Sequence, residues 1–310
     1  MIAKILCAAL VVMITPERSL SQGSDRFSIQ EWTVAIGRNY SLVPNITYAV
    51  AENFECKLDA YVNRASGVPT PTLIHIHGGG WVTGSKETAI LSLLPYFAMG
   101  FSIVNVEYRL ARVSLAPAAV EDCRLALRWV YRNAGEYGFD TTSLVVTGGT
   151  AGGRLALMTG MAEPDSGFDA PREWDPAMPS LRVAAIINWY GITDVPDLLS
   201  GSNQQAYAVS WLGGQPNREA VARRVSPLTY IRSDLPPILT IHGDQDQLVP
   251  YTHGVRLHKA LDAVGTPNQL LTIAGGRHGG FSGEQMSMIY AVIRQFLTEH
   301  ALMPGGQPKE

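Results

Sequence analysis

Residues 144–158 read Leu-Val-Val-Thr-Gly-Gly-Thr-Ala-Gly-Gly-Arg-Leu-Ala-Leu-Met. The run Leu144-Val145-Val146 predicts a short buried strand, and the segment from Arg154 to Met158 predicts a helix. The segment between them, Gly148-Gly149-Thr150-Ala151-Gly152, matches the pattern G-x-S-x-G with threonine in place of serine. This pattern forms a sharp strand-to-helix turn that lifts a nucleophile out of the backbone. A plain glycine-rich turn remains an alternative, whereas the lysine-containing pattern of a phosphate-binding P-loop is absent.

Short apolar strands and longer amphipathic helices alternate on both sides of this turn. The predicted strands are 72–77, 101–108, 144–147, 183–189 and 238–242, and the predicted helices are 118–137, 254–264 and 285–299. This alternation predicts an α/β fold with a mostly parallel central sheet and helices on both faces. Two polar stretches, 162–180 and 197–225, interrupt the alternation and are interpreted as lid-like insertions over the strand ends. Because active sites gather at the carboxyl ends of parallel strands, the motifs that follow the strands should converge at one edge.

A second motif, His77-Gly78-Gly79-Gly80-Trp81, comes directly after the predicted strand 72–77. Glycines at such a position let backbone N–H groups approach a carbonyl oxygen as it becomes an oxyanion. We expect Gly78 and Gly79 to supply these donors, together with the N–H of Ala151, which follows the predicted nucleophile. Trp81 is a candidate for the wall of a substrate pocket, and packing in the core is an equal alternative.

A candidate acid and a candidate base follow further along the chain. Asp244 and Asp246 lie in a loop after the predicted strand 238–242, and His278 lies in a glycine-rich loop near the C-terminus. The order nucleophile, acid, histidine is the order of an α/β-hydrolase. From the residues alone, either aspartate could be the acid.

Together these motifs resemble those of an α/β-hydrolase of the acetyl esterase and lipase group, similar to hormone-sensitive-lipase-like and feruloyl or acetyl-xylan esterases. The matching features run from about residue 45 to the C-terminal helix. Besides the motifs above they are Glu107 to Leu110, Pro117 to Asp122 and Ser226 to Leu228. The resemblance implies an α/β-hydrolase fold, no cofactor or metal, and a catalytic set of Thr150, Asp246 and His278. The family pattern H-G-x-x-D-x-x-V places the acid on Asp246.

Threonine at the nucleophile position is the main departure from this family. A β-branched residue with positive φ is strained, and its restricted χ1 leaves open whether its Oγ points at His278. We therefore expect a carboxylic ester hydrolase, with reduced activity, acting on short acyl or aryl esters such as acetyl or feruloyl groups of polysaccharide. The alternative is a non-catalytic binding protein that keeps the fold and the pocket. Arg154 is a milder departure, since relatives often carry histidine there.

The composition and the N-terminus place further limits on the protein. The chain has 310 residues, 46% of them hydrophobic and 16% charged, with a net charge of −3. This charge argues against nucleic acid as a partner, because phosphate binding needs a basic face. Residues 1–21 have the basic start, apolar stretch and small residues of a signal peptide, which predicts a secreted or periplasmic protein without a membrane span. We expect one domain over 27–300 and a flexible tail over 301–310.

The two cysteines outside the predicted signal peptide, Cys56 and Cys123, do not form a disulfide framework. They are interpreted as buried free thiols, with a single disulfide as the alternative. Neither has a second cysteine or a histidine at the spacing of zinc ligands, so we expect no metal site.

Overall fold

The computed structural model describes residues 29–65, 67–163, 166–169 and 180–305. The predicted signal peptide, most of the first predicted insertion and the end of the predicted tail lie outside these described residues.

One eight-stranded sheet forms the centre of the described structure. Its strands are β1 (Tyr40–Ala51), β2 (Phe54–Asn63), β3 (Thr70–Ile76), β4 (Ser102–Val106), β5 (Phe139–Gly149), β6 (Ala185–Trp189), β7 (Ile238–Gly243) and β8 (Asn268–Ile273). They lie in the order β1-β2-β4-β3-β5-β6-β7-β8. Strand β2 is antiparallel to both β1 and β4, and all other neighbours are parallel. The predicted mostly parallel sheet is therefore confirmed.

Helices cover both faces of this sheet. They are α1 (Ile29–Asn39), α2 (Leu94–Met99), α3 (Ala118–Tyr137), α4 (Ala151–Met161), α5 (Ala206–Leu212), α6 (Arg218–Arg224), α7 (Thr252–Val264) and α8 (Gly283–Glu299). One hydrophobic core contains buried residues of α3, α4 and α7, and a second one contains those of α2 and α8. In the described part of the chain, no helix is both long enough and apolar enough to cross a membrane.

The central strands bury both of their faces. In β5, Val146 faces the core of α3, α4 and α7, whereas Val145 faces the core of α2 and α8. Such strands appear in the sequence as continuous apolar runs, which explains why they could be predicted. Cys56 and Cys123 are buried and free, as the free-thiol interpretation expects. Beyond the predicted domain end at 300, Leu302 is also buried and belongs to the core of α2 and α8.

Candidate active site

Thr150 occupies the turn between β5 and α4. Its backbone has φ 56° and ψ −116°, so the turn takes a positive φ with threonine in it. The turn is held by two backbone hydrogen bonds: Thr150 N–H donates to the Trp189 carbonyl at 2.9 Å, and Arg154 N–H donates to the Thr150 carbonyl at 3.0 Å. Gly152 makes the close approach to β3 that this turn requires, since a Cβ there would lie 2.1 Å from the Ile76 carbonyl oxygen. Strain at a β-branched residue of this kind costs about 1–3 kcal/mol.

The side chain of Thr150 points at the predicted base. Its Oγ1 lies 2.7 Å from Nε2 of His278. The other ring nitrogen of His278, Nδ1, lies 2.7 Å from Oδ2 of Asp246. Since a carboxylate can only accept, Nδ1 carries the proton, and Nε2 of the neutral ring accepts the threonine hydroxyl. The three predicted residues thus form one hydrogen-bonded chain, and the question of where Oγ points is answered in favour of His278.

The two candidate acids are separated by their contacts. Asp246 lies just beyond β7, and its Oδ1 accepts the N–H groups of Leu248 and Val249 at 2.9 and 3.0 Å. Asp244 instead accepts the N–H of Gly275 at 2.8 Å, which ties the loop after β7 to the loop after β8. Only Asp246 therefore contacts the imidazole of His278.

A second histidine, which the sequence interpretation assigned no role, lies beside the same carboxylate. Nε2 of His242 is 3.3 Å from Oδ2 of Asp246, and both side chains are fully buried. Burial raises the pKa of Asp246, but hydrogen bonds from His242, His278 and Val249 outweigh it and hold that pKa well below its usual range. Asp246 is therefore ionised at neutral pH. The sequence did contain a signal for it, because His242 is the histidine of the pattern H-G-x-x-D-x-x-V in which Asp246 is the aspartate.

The predicted oxyanion donors lie around Thr150. Gly78 and Gly79 line the same cavity as Thr150. Gly79 has φ 109°, and its carbonyl accepts the N–H groups of Val82 and Thr83, which closes a tight turn after β3. Ala151 is the first residue of α4, so its N–H has no carbonyl partner within the helix and lies at the positive end of the helix dipole.

A cavity of about 550 Å³ opens next to Thr150. Aromatic side chains form much of its wall: Tyr96, Trp189, Tyr190, Phe281 and Tyr290. Tyr190 also lies over the predicted base, with 4.6 Å between the ring centres of Tyr190 and His278. Tyr190 was not identified from the sequence, although it directly follows a predicted strand at the active edge. No residue of the second predicted insertion, 197–225, is among the described residues that line this cavity.

Trp81 does not line the cavity, and its interpretation as a pocket residue is wrong. Its side chain is fully buried and stacks on Trp211, with ring centres 4.2 Å apart. Trp211 belongs to α5, so the stack fastens the second insertion to the segment after Gly80. The guanidinium of the buried Arg154 lies 4.4 Å from the centre of the Trp211 ring and donates to the Val225 carbonyl. Core packing was the correct alternative for Trp81.

Comparison with known proteins finds a matching family model and similar ester hydrolases. Residues 58–261 match the BD-FAE family model. The chain is 31% identical over 185 residues to the probable carboxylic ester hydrolase LipM of Mycobacterium tuberculosis, covering 58% of this chain and 42% of LipM. It is 26% identical over 208 residues to esterase LipQ of the same organism, covering 65% of this chain and 48% of LipQ. The chain thus spans about half the length of the curated relatives it matches.

Solved structures show the same fold over more of the chain. Thermogutta terrifontis esterase 2, phosphoramylated by tabun, has a TM-score of 0.70 and 26% identity, and the match covers 87% of this chain and 97% of the esterase. A truncated carbohydrate esterase from gut microbiota has a TM-score of 0.71 and 24% identity, with 84% and 98% covered. The mostly parallel sheet, the strand-to-helix turn at Thr150 and these matches lead to one conclusion: the chain has the α/β-hydrolase fold and belongs to the BD-FAE family.

Proposed function

We propose that the protein is a carboxylic ester hydrolase that works through an acyl-enzyme intermediate on Thr150. The single observation that carries the proposal is the hydrogen-bonded chain from Thr150 Oγ1 through His278 to Asp246, with 2.7 Å at each step. These distances lie within the range required of a nucleophile and its base. The esterase names of the relatives support the same reaction class.

In the first half of the reaction, Thr150 Oγ1 attacks the ester carbonyl carbon while Nε2 of His278 takes the hydroxyl proton. The ionised Asp246 keeps Nδ1 protonated and stabilises the imidazolium that forms. His278 then gives its proton to the leaving alcohol as the C–O bond of the ester breaks. The acyl group remains on Thr150 as an ester.

The second half removes the acyl group with water. His278 accepts a proton from the water that attacks the acyl-enzyme carbonyl, and returns this proton to Oγ1 when the acid leaves. The negative oxygen formed in each half is stabilised by the N–H groups of Gly78, Gly79 and Ala151, because donors that are already in place need no rearrangement when the charge develops.

The cavity next to Thr150 supports a proposal for the substrate class. A volume of about 550 Å³ with aromatic walls accommodates a short acyl or an aryl group. We propose acetyl or feruloyl groups carried by a polysaccharide as the natural esters. Secretion, as the signal-peptide pattern of residues 1–21 predicts, would bring the protein to such a polymer.

Hydrolysis of p-nitrophenyl acetate by the native protein, Thr150→Ser and His278→Ala tests the proposal. We expect native activity that the His278→Ala change removes. An inactive native protein combined with a strongly active Thr150→Ser variant would contradict it, and would favour a binding protein that keeps the site without using it. The strained backbone at Thr150 is the observation behind that second candidate.

A further inference from the structure

The carboxylate of Asp246 has more neighbours than a two-residue acid–base pair needs. Its Oδ1 accepts two backbone N–H groups, and its Oδ2 accepts Nδ1–H of His278. The same Oδ2 also lies 3.3 Å from Nε2 of His242, which is 3.0 Å from the Val249 carbonyl oxygen. Two imidazoles therefore meet one carboxylate oxygen from different sides.

The proton on His242 can be assigned from these neighbours. Both groups next to its Nε2, the Val249 carbonyl and Asp246 Oδ2, can only accept, so Nε2 carries the proton and shares it between them. Nδ1 of His242 is buried and has no hydrogen-bond partner among the described residues. Nδ1 therefore offers no competing hydrogen bond, and the ring is oriented with its Nε2–H directed at Asp246.

The surroundings of His242 preserve this arrangement. Gly254 of α7 leaves room for the ring, since a Cβ there would lie 3.1 Å from Nδ1 of His242. The ring of Tyr251 packs edge-on against His242, with 5.6 Å between the ring centres. On the other side of the carboxylate, Tyr190 covers His278.

We propose that His242 is a positioning residue for the catalytic acid, and that its Nε2–H shares the negative charge of Asp246 Oδ2 with His278. The proposal rests on the proposed function of Asp246 and His278. Because part of the charge on Oδ2 is taken up by His242, less of it stabilises a proton on the His278 ring. His242 thereby modulates how strongly Asp246 stabilises the imidazolium of His278, the group that takes up the proton in the proposed reaction.

The other titratable groups near this set do not replace His242. Tyr190 and Tyr207 interact electrostatically with Asp246, and burial, followed by that negative charge, raises the pKa of each phenol above its usual value. His253 of α7 faces Asp197 and Arg256, and burial, followed by the charge of Arg256, lowers its pKa to about 4. All three are uncharged near neutral pH, so they leave His242 as the side-chain donor to Oδ2 besides His278.

The pH dependence of kcat/KM for p-nitrophenyl acetate tests the proposal in two variants. His242→Met removes the donor at similar size, whereas in His242→Gln the amide nitrogen can take the place of Nε2. We expect His242→Met to move the acid limb of the profile up by about half to one pH unit, and His242→Gln to restore the native limb. His258→Met is the matched control, since His258 is also buried and also has one unpartnered ring nitrogen, in this case Nε2, but its Nδ1 bonds to Asn268 instead of a catalytic residue.

Nuclear magnetic resonance of ¹⁵N-histidine-labelled protein gives the same information without turnover. The pH midpoint of the His278 ring signals should move up in His242→Met and stay in place in His242→Gln and His258→Met. A His242→Met midpoint that equals the native one, or that moves down, would overturn the proposal. So would an equal shift in His242→Gln. If no ester is hydrolysed, the proposed function fails, while the ring titration still decides the role of His242.

Discussion

The hydroxyl of Thr150 lies 2.7 Å from Nε2 of His278, across 128 residues of chain. This contact means that the methyl group that distinguishes threonine from serine does not turn the oxygen away from the base. The carboxylate of Asp246 lies 2.7 Å from the opposite ring nitrogen. Threonine at the proposed nucleophile position therefore keeps the hydrogen bonds that acyl transfer would require, although it places a β-branched residue at φ 56°.

Thr150→Ser should increase both stability and activity. Serine relieves the strain at positive φ, so we expect the free energy of unfolding in urea to rise by about 1 kcal/mol. We also expect kcat/KM to rise by roughly tenfold or more, because the serine Oγ can adjust its χ1 during acyl transfer. Thr159→Ser in α4 is the control: it removes a buried methyl without positive φ and should destabilise by about 1 kcal/mol. If Thr150→Ser and Thr159→Ser lower the free energy of unfolding equally, Thr150 is not strained.

Asp246→Asn should nearly abolish turnover while the fold persists. The amide can donate to Nδ1 of His278, which favours the ring tautomer whose Nε2 cannot accept the Thr150 proton, and the expected loss in kcat is about 10⁴-fold. Asp244→Asn is the matched control, because Asp244 bonds to Gly275 and not to His278. Steady-state kinetics of both variants with p-nitrophenyl acetate check this. Comparable losses at the two positions would contradict the assignment of the acid.

Gly79→Ala should disrupt the turn that presents the predicted oxyanion donors. An added Cβ would lie 2.1 Å from the Thr83 carbonyl oxygen, so the backbone must shift. In addition, the φ of 109° at Gly79 is unfavourable for alanine. We expect kcat to fall by roughly 10²–10³-fold, as for the loss of one donor. Gly135→Ala in α3, where a Cβ meets nothing within 4 Å, should keep full activity and raise the free energy of unfolding by about 0.5–1 kcal/mol. Full activity of Gly79→Ala would argue against a role for this turn.

Mild acid should destabilise the protein through its buried histidines. Burial lowers the pKa of His75 to about 4, although its hydrogen bond to Asn105 opposes the shift. Between pH 6.5 and 4 the unfolded chain binds the proton and the folded chain does not, so stability falls as the pH is lowered through this window. His75→Asn should reduce this fall by up to roughly 3 kcal/mol, measured by urea unfolding at several pH values. If the dependence of the unfolding free energy on pH is the same in His75→Asn as in the native protein, His75 binds its proton equally in the folded and unfolded states.

The sequence was sufficient to predict the central strands, and it also indicated three residues, Thr150, Asp246 and His278, that the fold brings within hydrogen-bond distance of one another. Continuous apolar runs such as Leu144 to Val146 identify strands that are buried on both faces, and the helix 118–137 was placed at its observed bounds. The antiparallel strands β1 and β2 were not predicted. Strand β1 is only partly buried, contains a positive φ at Asn45 and pairs with register shifts, so its hydrophobic residues do not alternate regularly.

The roles of individual site residues were harder to predict, because they depend on contacts between distant segments. Trp81 follows the Gly78–Gly80 turn closely, yet its ring packs on Trp211, more than a hundred residues away. His242 and Tyr190 reach the site only because β6 and β7 are neighbours in the sheet. Local periodicity does not reveal which distant strands pair. The order of Thr150, Asp246 and His278 along the chain, in contrast, is directly visible in the sequence.

Covalent labelling with paraoxon tests most directly whether Thr150 is the nucleophile. A phosphoryl ester of this kind reacts with an activated hydroxyl and leaves a stable diethylphosphoryl group on it. We expect peptide mass spectrometry to find this group on Thr150 of the native protein, in parallel with loss of p-nitrophenyl acetate hydrolysis, and not in Thr150→Ala or His278→Ala. Hydrolysis that persists in Thr150→Ala, with the label on a different residue, would show that Thr150 is not the nucleophile.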